Sequence, residues 1–170
     1  VLILASWIFG CFKVRVHAPE IDFLMMEEVL FFAFFLLWTY LAGFHPEAHG
    51  TEKFMDYGFM KAMMRSTAVP AEDLWYSGSG INYYYGGQFY AVFLTKITFT
   101  DVKQTYHLTR TMVASFAFVL PFSITYHLAE SRACHRIRKE GGNKSQIAPV
   151  LGGLLSGGAV SLAGNMHYVI

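Results

Sequence analysis

The sequence has little charge and few cysteines. Charged residues make up 15% of the 170 residues, and the formal net charge is +1. A typical soluble domain is about 25% charged, so an ordinary soluble globule is not expected. The near-neutral charge excludes a nucleic-acid-binding module with a basic surface, and the hydrophobic content of 54% excludes a disordered chain. With only Cys11 and Cys134, the chain cannot build a disulfide framework.

Several common catalytic and metal-binding motifs are also missing. There is no glycine-rich nucleotide-binding loop and no serine or cysteine nucleophile motif. His45, Glu47 and His49 have a spacing that suits a divalent cation, but Pro46 breaks regular structure between them. We therefore interpret them as loop residues and predict no metal site and no cofactor, with a divalent cation as the alternative.

What the sequence has instead is long apolar stretches, and its mean hydropathy is +0.36. A membrane-spanning helix needs about 20 mainly apolar residues. Four stretches reach that length or would do so if complete: residues 1–12, 24–44, 107–129 and 147–170. We predict a single all-α membrane domain, a polytopic transmembrane helix bundle in the cell membrane. The chain begins with Val1 inside one apolar run and stops inside another, so we expect a fragment of a longer protein.

The basic residues orient these spans. The loop 130–146 carries more basic than acidic side chains, and its basic residues are Arg132, Arg136, Arg138, Lys139 and Lys144. Cytoplasmic loops carry such an excess, so loop 130–146 is predicted to be cytoplasmic, as is the segment with Lys13 and Arg15. Loop 45–85 is then external. This orientation holds only if Gly86–Phe99 does not cross the membrane.

The stretch Gly86–Phe99 is also short for a span. As a helix it would be about 21 Å long, against a hydrocarbon core of about 30 Å. We predict an interfacial helix over residues 86–99, with a tilted span that begins at Ile81 as the alternative. In the last apolar stretch Gly153 and Gly157 are four residues apart, a spacing that allows close helix packing. Packing inside the chain's own bundle is favoured over a dimer face, and the oligomeric state is left open.

Loop 45–85 is too long for a simple connection, at about 41 residues. Glu52–Arg65 has helical periodicity that places Glu52 and Asp56 on one side and Lys61 and Arg65 on a neighbouring side. We expect the carboxylates and cations to point to water at the membrane surface. A carboxylate can act as a general base, and a cation can hold a phosphate. The alternative is that these charges only solvate a surface helix.

Three motifs of this loop resemble the signature of the prokaryotic "YYY" membrane-protein family. The matching runs are Glu52-Lys53-Phe54-Met55-Asp56, Asp73-Leu74-Trp75 and Gly80-Ile81-Asn82-Tyr83-Tyr84-Tyr85-Gly86. The resemblance covers roughly residues 27–165, and it departs from the family at Leu74, where the family pattern has a proline. The organisation of that uncharacterised family is similar to that of GT-C type glycosyltransferases, which use polyprenyl-phosphate sugars.

The resemblance implies a glycosyltransferase with Asp56 as general base and Glu52 as a second acid. Lys61 and Arg65 would hold the donor phosphate. The other expected substrate-binding residues are Asp73, Trp75, Asn82, Tyr83, Tyr84 and Tyr85. The implied partners are membrane lipids and a lipid-phosphate sugar donor, with no nucleic acid. The alternative function is a non-catalytic carrier or structural membrane protein that uses the loop as a gate.

Overall fold

The computed structural model describes residues 18–47, 52–140 and 146–163. Five helices lie in this part of the chain: α1 (Ala18–Ala42), α2 (Lys53–Arg65), α3 (Gly86–Thr98), α4 (Val102–Glu140) and α5 (Ile147–Leu162). The described ranges contain no β-strand, only an isolated antiparallel bridge between Glu72 and Gly80. The all-α prediction is therefore confirmed for them. The predicted span 1–12 lies outside the described residues.

The chain divides into two compact units. One runs from Thr39 to Met112, and the other combines the chain up to Trp38 with the chain from Val113 onward. Helices α1 and α4 each contribute residues to both units, because both cross a unit boundary. We call them the first unit (Thr39–Met112) and the second unit.

The core of the second unit is an aromatic cluster on α4. Its buried members are Phe118, Val119, Phe122 and Tyr126. Side chains of α1 cover this cluster, and the Phe34 and Phe118 rings stack with centroids 3.7 Å apart. The Tyr126 hydroxyl donates a hydrogen bond of 2.8 Å to Gln146 Oε1, so the buried end of the cluster has a polar partner. Stacked aromatic pairs of this kind stabilise a core beyond their buried area.

Helix α5 packs closely on α4 through two glycines. A Cβ atom on Gly153 would lie 2.7 Å from a ring carbon of Phe122, and one on Gly157 would lie 2.7 Å from the Phe118 backbone oxygen. Both distances are shorter than real Cβ contacts. Helices α4 and α5 can therefore lie this close together only because neither position has a Cβ atom. The glycine spacing thus serves packing within this unit.

Among the described helices, α4 is long and apolar enough to cross a membrane. Its 39 residues give a length of about 58 Å. It contains the predicted span 107–129. Spans over 24–44 and 147–170 remain predictions. Residues 130–140 of the predicted loop 130–146 continue α4 as helix. The cytoplasmic location of this segment stays a prediction.

The first unit is built on the packing of α2 against α3. Helix α2 buries Phe59, Met60, Ala62 and Met63, and α3 contributes Ala91 and Val92. Ala71, Ile81, Val102 and Tyr106 complete the same cluster. The sequence predicts the first helix over 52–65 from its periodicity and the second over 86–99 from its short apolar run, and the observed bounds agree to within one residue at each end.

Helix α3 has one buried side and a long exposed apolar side. Ala91, Val92 and Thr95 are buried, while the exposed residues are Phe89, Tyr90, Phe93 and Ile97. The helix has 13 residues, about 20 Å in length. It ends at Phe99, which has a φ of 54° and is 93% exposed. A short amphipathic helix with aromatic residues outside suits the membrane interface, as predicted for residues 86–99.

Gly157→Ala is expected to lower the free energy of unfolding by about 1–3 kcal/mol, because the added Cβ collides with backbone rather than with a flexible side chain. The matched control is Gly158→Ala, where nothing lies within 4 Å of the new Cβ. The control should be neutral or slightly stabilising, since alanine is the better helix former. Unfolding in mixed micelles measures both variants. Equal stability of the two would contradict the packing argument.

Single cysteines at Ser79 and Lys103 are expected to react from the same side of the membrane, because a helix the length of α3 is too short to cross between them. An impermeant thiol reagent applied to intact cells measures this. Both variants lack the native cysteines, and a separate variant that retains only Cys134, which is exposed near the far end of α4, is the control and should react from the opposite side. Labelling of Ser79 and Lys103 from opposite sides would show that α3 crosses.

Candidate functional site

The segment between α2 and α3 folds into an ordered turn held by two acidic residues. Asp73 Oδ1 accepts hydrogen bonds from the backbone N–H groups of Trp75 and Tyr76, at 2.8 and 3.0 Å. Glu72 Oε1 accepts the Gly78 N–H at 3.2 Å, and Gly78 has the positive φ of 80° that favours glycine. Asp73, predicted to bind substrate, therefore holds the turn with one of its carboxylate oxygens.

This turn presents an exposed aromatic surface, which we define by Phe54, Trp75, Tyr83 and Tyr84. Trp75 is 58% exposed and packs edge-on against Phe54, with ring centroids 6.3 Å apart. Tyr83 and Tyr84 stack at 4.0 Å, and Tyr84 is 81% exposed. The buried ring of Phe59 lies 5.7 Å from Trp75 and 5.8 Å from Tyr83, so it supports both. The faces of such rings can stack on an apolar face of a ligand.

Asp56 is held at the interface of α2 and α3. Its Oδ1 accepts a hydrogen bond of 2.7 Å from Gln88 Nε2, and the carboxylate is half-buried. The expectation that this side of α2 points to water is wrong for Asp56, because burial of Phe59, Met60 and Met63 turns that side toward α3. Glu52, at the exposed start of α2, does point to water.

The two acids and the tyrosine pair form one electrostatic neighbourhood. The hydrogen bond that Tyr83 donates to Tyr84, 2.8 Å long, is the largest cause that raises the pKa of Tyr83 to about 12. Desolvation and the negative charges of Glu52 and Asp56 raise this pKa further. A raised pKa keeps the Tyr83 hydroxyl protonated, so it remains the donor of the hydrogen bond to Tyr84.

The remaining predicted residues are spread around this neighbourhood. Lys61 Nζ lies 5.6 Å from the ring centroid of Tyr57, a cation–π contact that fixes it on α2. Arg65 and Asn82 are exposed. Tyr85 packs against the buried core of the first unit, which suggests a structural role. The structure thus brings Asp56, Glu52, Tyr83, Tyr84 and Trp75 together around α2 and gives Lys61 a different neighbour.

Two adjoining grooves lie where α1 ends and α4 begins, and sequence reasoning missed both. The first has a volume of about 350 Å³ and is lined by Pro46, Tyr57, Lys103, Gln104, Tyr106 and His107. The second has a volume of about 310 Å³ and shares Pro46, Gln104 and His107 with the first. Its remaining lining residues are Thr39, Ala42, Gly43, Leu108 and Thr111. Neither lining set includes Asp56.

Gln88 was also missed, although the sequence carries a signal for it. It is the one amide in the otherwise apolar and aromatic run of residues 86–94. A lone polar residue on the buried side of a short helix needs a partner, and here that partner is Asp56. The contact spans 32 positions of sequence, so no local pattern identifies it.

No group of three metal-ligating side chains occurs within residues 18–47, 52–140 and 146–163. His49, one of the three residues considered as ligands of a divalent cation, lies outside these ranges. The metal alternative therefore stays untested.

Tyr84→Phe is expected to lower the pKa of Tyr83 from about 12 toward its ordinary value of 10.0, because the hydroxyl that accepts its proton is gone. Tyrosinate absorbance, with a Tyr83→Phe sample subtracted, measures this titration. Because the folded protein favours neutral Tyr83, the pair stabilises the fold below pH 10 and loses this contribution as pH rises to about 12. An unchanged pKa in Tyr84→Phe would contradict the hydrogen-bond assignment.

The whole chain, residues 1–170, matches the family DUF2298, described as an uncharacterised membrane protein. The chain therefore belongs to this membrane-protein family. The match confirms the expectation of an uncharacterised membrane family and leaves the glycosyltransferase resemblance without support from a relative. No curated protein and no solved structure matches the chain significantly.

Proposed function

We propose that this DUF2298 protein is a GT-C-like membrane glycosyltransferase that transfers a sugar from a lipid-phosphate donor at the outer face of a prokaryotic cell membrane. Asp56 is the general base. The observation that carries the proposal is the half-buried Asp56 carboxylate, held by Gln88 beside Tyr83 and the exposed aromatic surface.

The proposed reaction is an inverting transfer. The acceptor hydroxyl gives its proton to Asp56 as its oxygen bonds to the anomeric carbon. The bond between that carbon and the donor phosphate breaks, and the phosphate leaves with the electron pair. The exposed rings of Trp75 and Tyr84 offer faces on which a sugar can stack, and Glu52 is a second acid whose charge, like that of Asp56, acts on Tyr83.

Gln88 acts as a positioning residue in this proposal. An amide donor on α3 holds one oxygen of Asp56, and the second oxygen is the one that takes the acceptor's proton in this proposal. A base that is oriented before the acceptor binds has a smaller ordering cost in the reaction. Helix α3 therefore contributes to the site as well as to the membrane interface.

A second candidate function, a carrier of a polar lipid or solute, has its own supporting observation. Glu27 and Glu28 are 7% and 6% exposed in the second unit. They lie about ten residues, or about 14 Å, from the start of α1, so the helix N-terminus does not account for them. Buried acids in membrane helices often mark a transport path. Loss of uptake in Glu27→Gln, with Asp56→Asn unaffected, would favour this function.

Asp56→Asn is expected to lower sugar transfer by about 10²–10⁴-fold while the protein still folds and inserts, because asparagine keeps the shape but cannot accept the proton. Transfer of radiolabelled sugar from a polyprenyl-phosphate donor in membranes measures this. Glu52→Gln should have a smaller effect, and Gln88→Leu should lower kcat about tenfold through the lost hydrogen bond.

The matched control is Glu72→Gln. Its side-chain oxygen still accepts the Gly78 N–H, so the turn and the transfer rate should both be retained. Transfer at the parent rate by Asp56→Asn would rule out the catalytic assignment. Equal losses in Asp56→Asn and Glu72→Gln would indicate a structural effect and would likewise overturn it.

A further inference from the structure

We propose that the two adjoining grooves at the start of α4 hold the phosphate headgroup and the first part of the chain of a single-chain lipid phosphate. This inference rests on the proposed function, for which it names the donor's binding site. The grooves share Pro46, Gln104 and His107, so together they form one continuous path along α4.

The end of the path nearest the start of α4 has the chemistry for a phosphate. Lys103, Gln104 and His107 line it, and each can donate a hydrogen bond from its side chain. Arg110 lies one turn further on, with its guanidinium carbon 5.3 Å from the ring centroid of Tyr106. Asp101 accepts the Lys103 backbone N–H at 2.7 Å and so caps α4. No acidic side chain is among the residues that line this groove, so an anion bound by Lys103 and His107 would meet no carboxylate in the lining.

Both grooves are mainly apolar, and the second adds no cationic side chain to the His107 that it shares with the first. Ala42, Gly43 and Leu108 line the second groove, and its two hydroxyls are paired, with Thr39 Oγ1 3.1 Å from Thr111 Oγ1. From Lys103 to Thr111 the path follows α4 for about 12 Å, toward the helix's apolar membrane-crossing part. One apolar groove that leads from the Lys103 end matches a lipid with one chain, and the experiment below compares this occupant with a diacyl phospholipid.

The phosphate end of the path lies in the same unit as the proposed base. Tyr57 lines this end and is next to Asp56 in the sequence of α2. The charge of Asp56 acts on Tyr106, which lines the same end, although Asp56 does not itself line the groove. We propose that a phosphate at Lys103 and His107 carries its sugar toward Asp56. This arrangement moves the phosphate contact from Arg65, predicted from sequence, to α4, with Lys61 held against Tyr57 at the groove wall.

The test is a binding measurement that requires no sugar transfer. The intact protein is reconstituted in nanodiscs of neutral lipid, and the probes are farnesyl phosphate, farnesol, inorganic phosphate and a diacyl phosphatidylglycerol. Farnesyl phosphate should bind best. Lys103→Gln and His107→Gln should each weaken the binding of farnesyl phosphate about tenfold, which is the effect of one lost hydrogen bond to a charged group. Lys96→Gln, on the exposed side of α3, is the matched control and should bind as the parent does.

A second variant tests the binding of the lipid chain. Ala42→Phe fills the second groove and should weaken the binding of farnesyl phosphate about tenfold or more, while the binding of inorganic phosphate is unaffected. Parent-like binding of farnesyl phosphate in both Lys103→Gln and Ala42→Phe would overturn the proposal, and so would equal binding of farnesol or of phosphatidylglycerol. Asp56→Asn should bind farnesyl phosphate normally. If that variant binds farnesyl phosphate but does not transfer sugar, both proposals are supported. Loss of binding in the groove variants tests the lipid site alone, and loss of transfer in Asp56→Asn tests the base alone.

Discussion

The burial of one side of α2 against α3 determines where the polar groups of the first unit point. Phe59, Met60 and Met63 enter the core with Ala91 and Val92 of α3. Because a helix has fixed angular spacing, this burial carries Asp56 to the edge of the same interface, where Gln88 meets it. If α2 were rotated by one residue, the carboxylate would lose its partner and the apolar residues would face outward.

The turn after α2 depends on the same packing. Ala71 and Ile81 are buried in the shared core, and the Ile81 N–H donates to the Ala71 oxygen at 2.8 Å. Between these anchors, Asp73 and Glu72 use their carboxylates to satisfy backbone N–H groups. The aromatic residues at the tip need not fill a core, so they remain available to a ligand or to the membrane interface. Their exposure near Asp56 is the basis of the proposed sugar site.

The second unit shows how small residues and aromatics combine in a membrane-protein family. Glycines on α5 admit the Phe118 and Phe122 rings of α4 at distances that no larger residue allows. Close packing of this kind can hold helices together in lipid, where the hydrophobic effect between helices is weak. In the same unit Glu27 and Glu28 are buried on α1, which gives the carrier hypothesis a physical basis of its own.

The sequence by itself determined the helices α2 and α3, the apolar character of α4 and the all-α class, because periodicity and long apolar runs are local properties of the chain. It also singled out Asp56 and the triple tyrosine. Only the tertiary structure decided which side of α2 is buried, that Gln88 holds Asp56, and that Asp73 holds a turn. Only the structure revealed the grooves of Lys103 and His107, because they join the end of α1 to the start of α4. Contacts between residues so far apart in sequence depend on how helices pack, and no pattern within one helix encodes them.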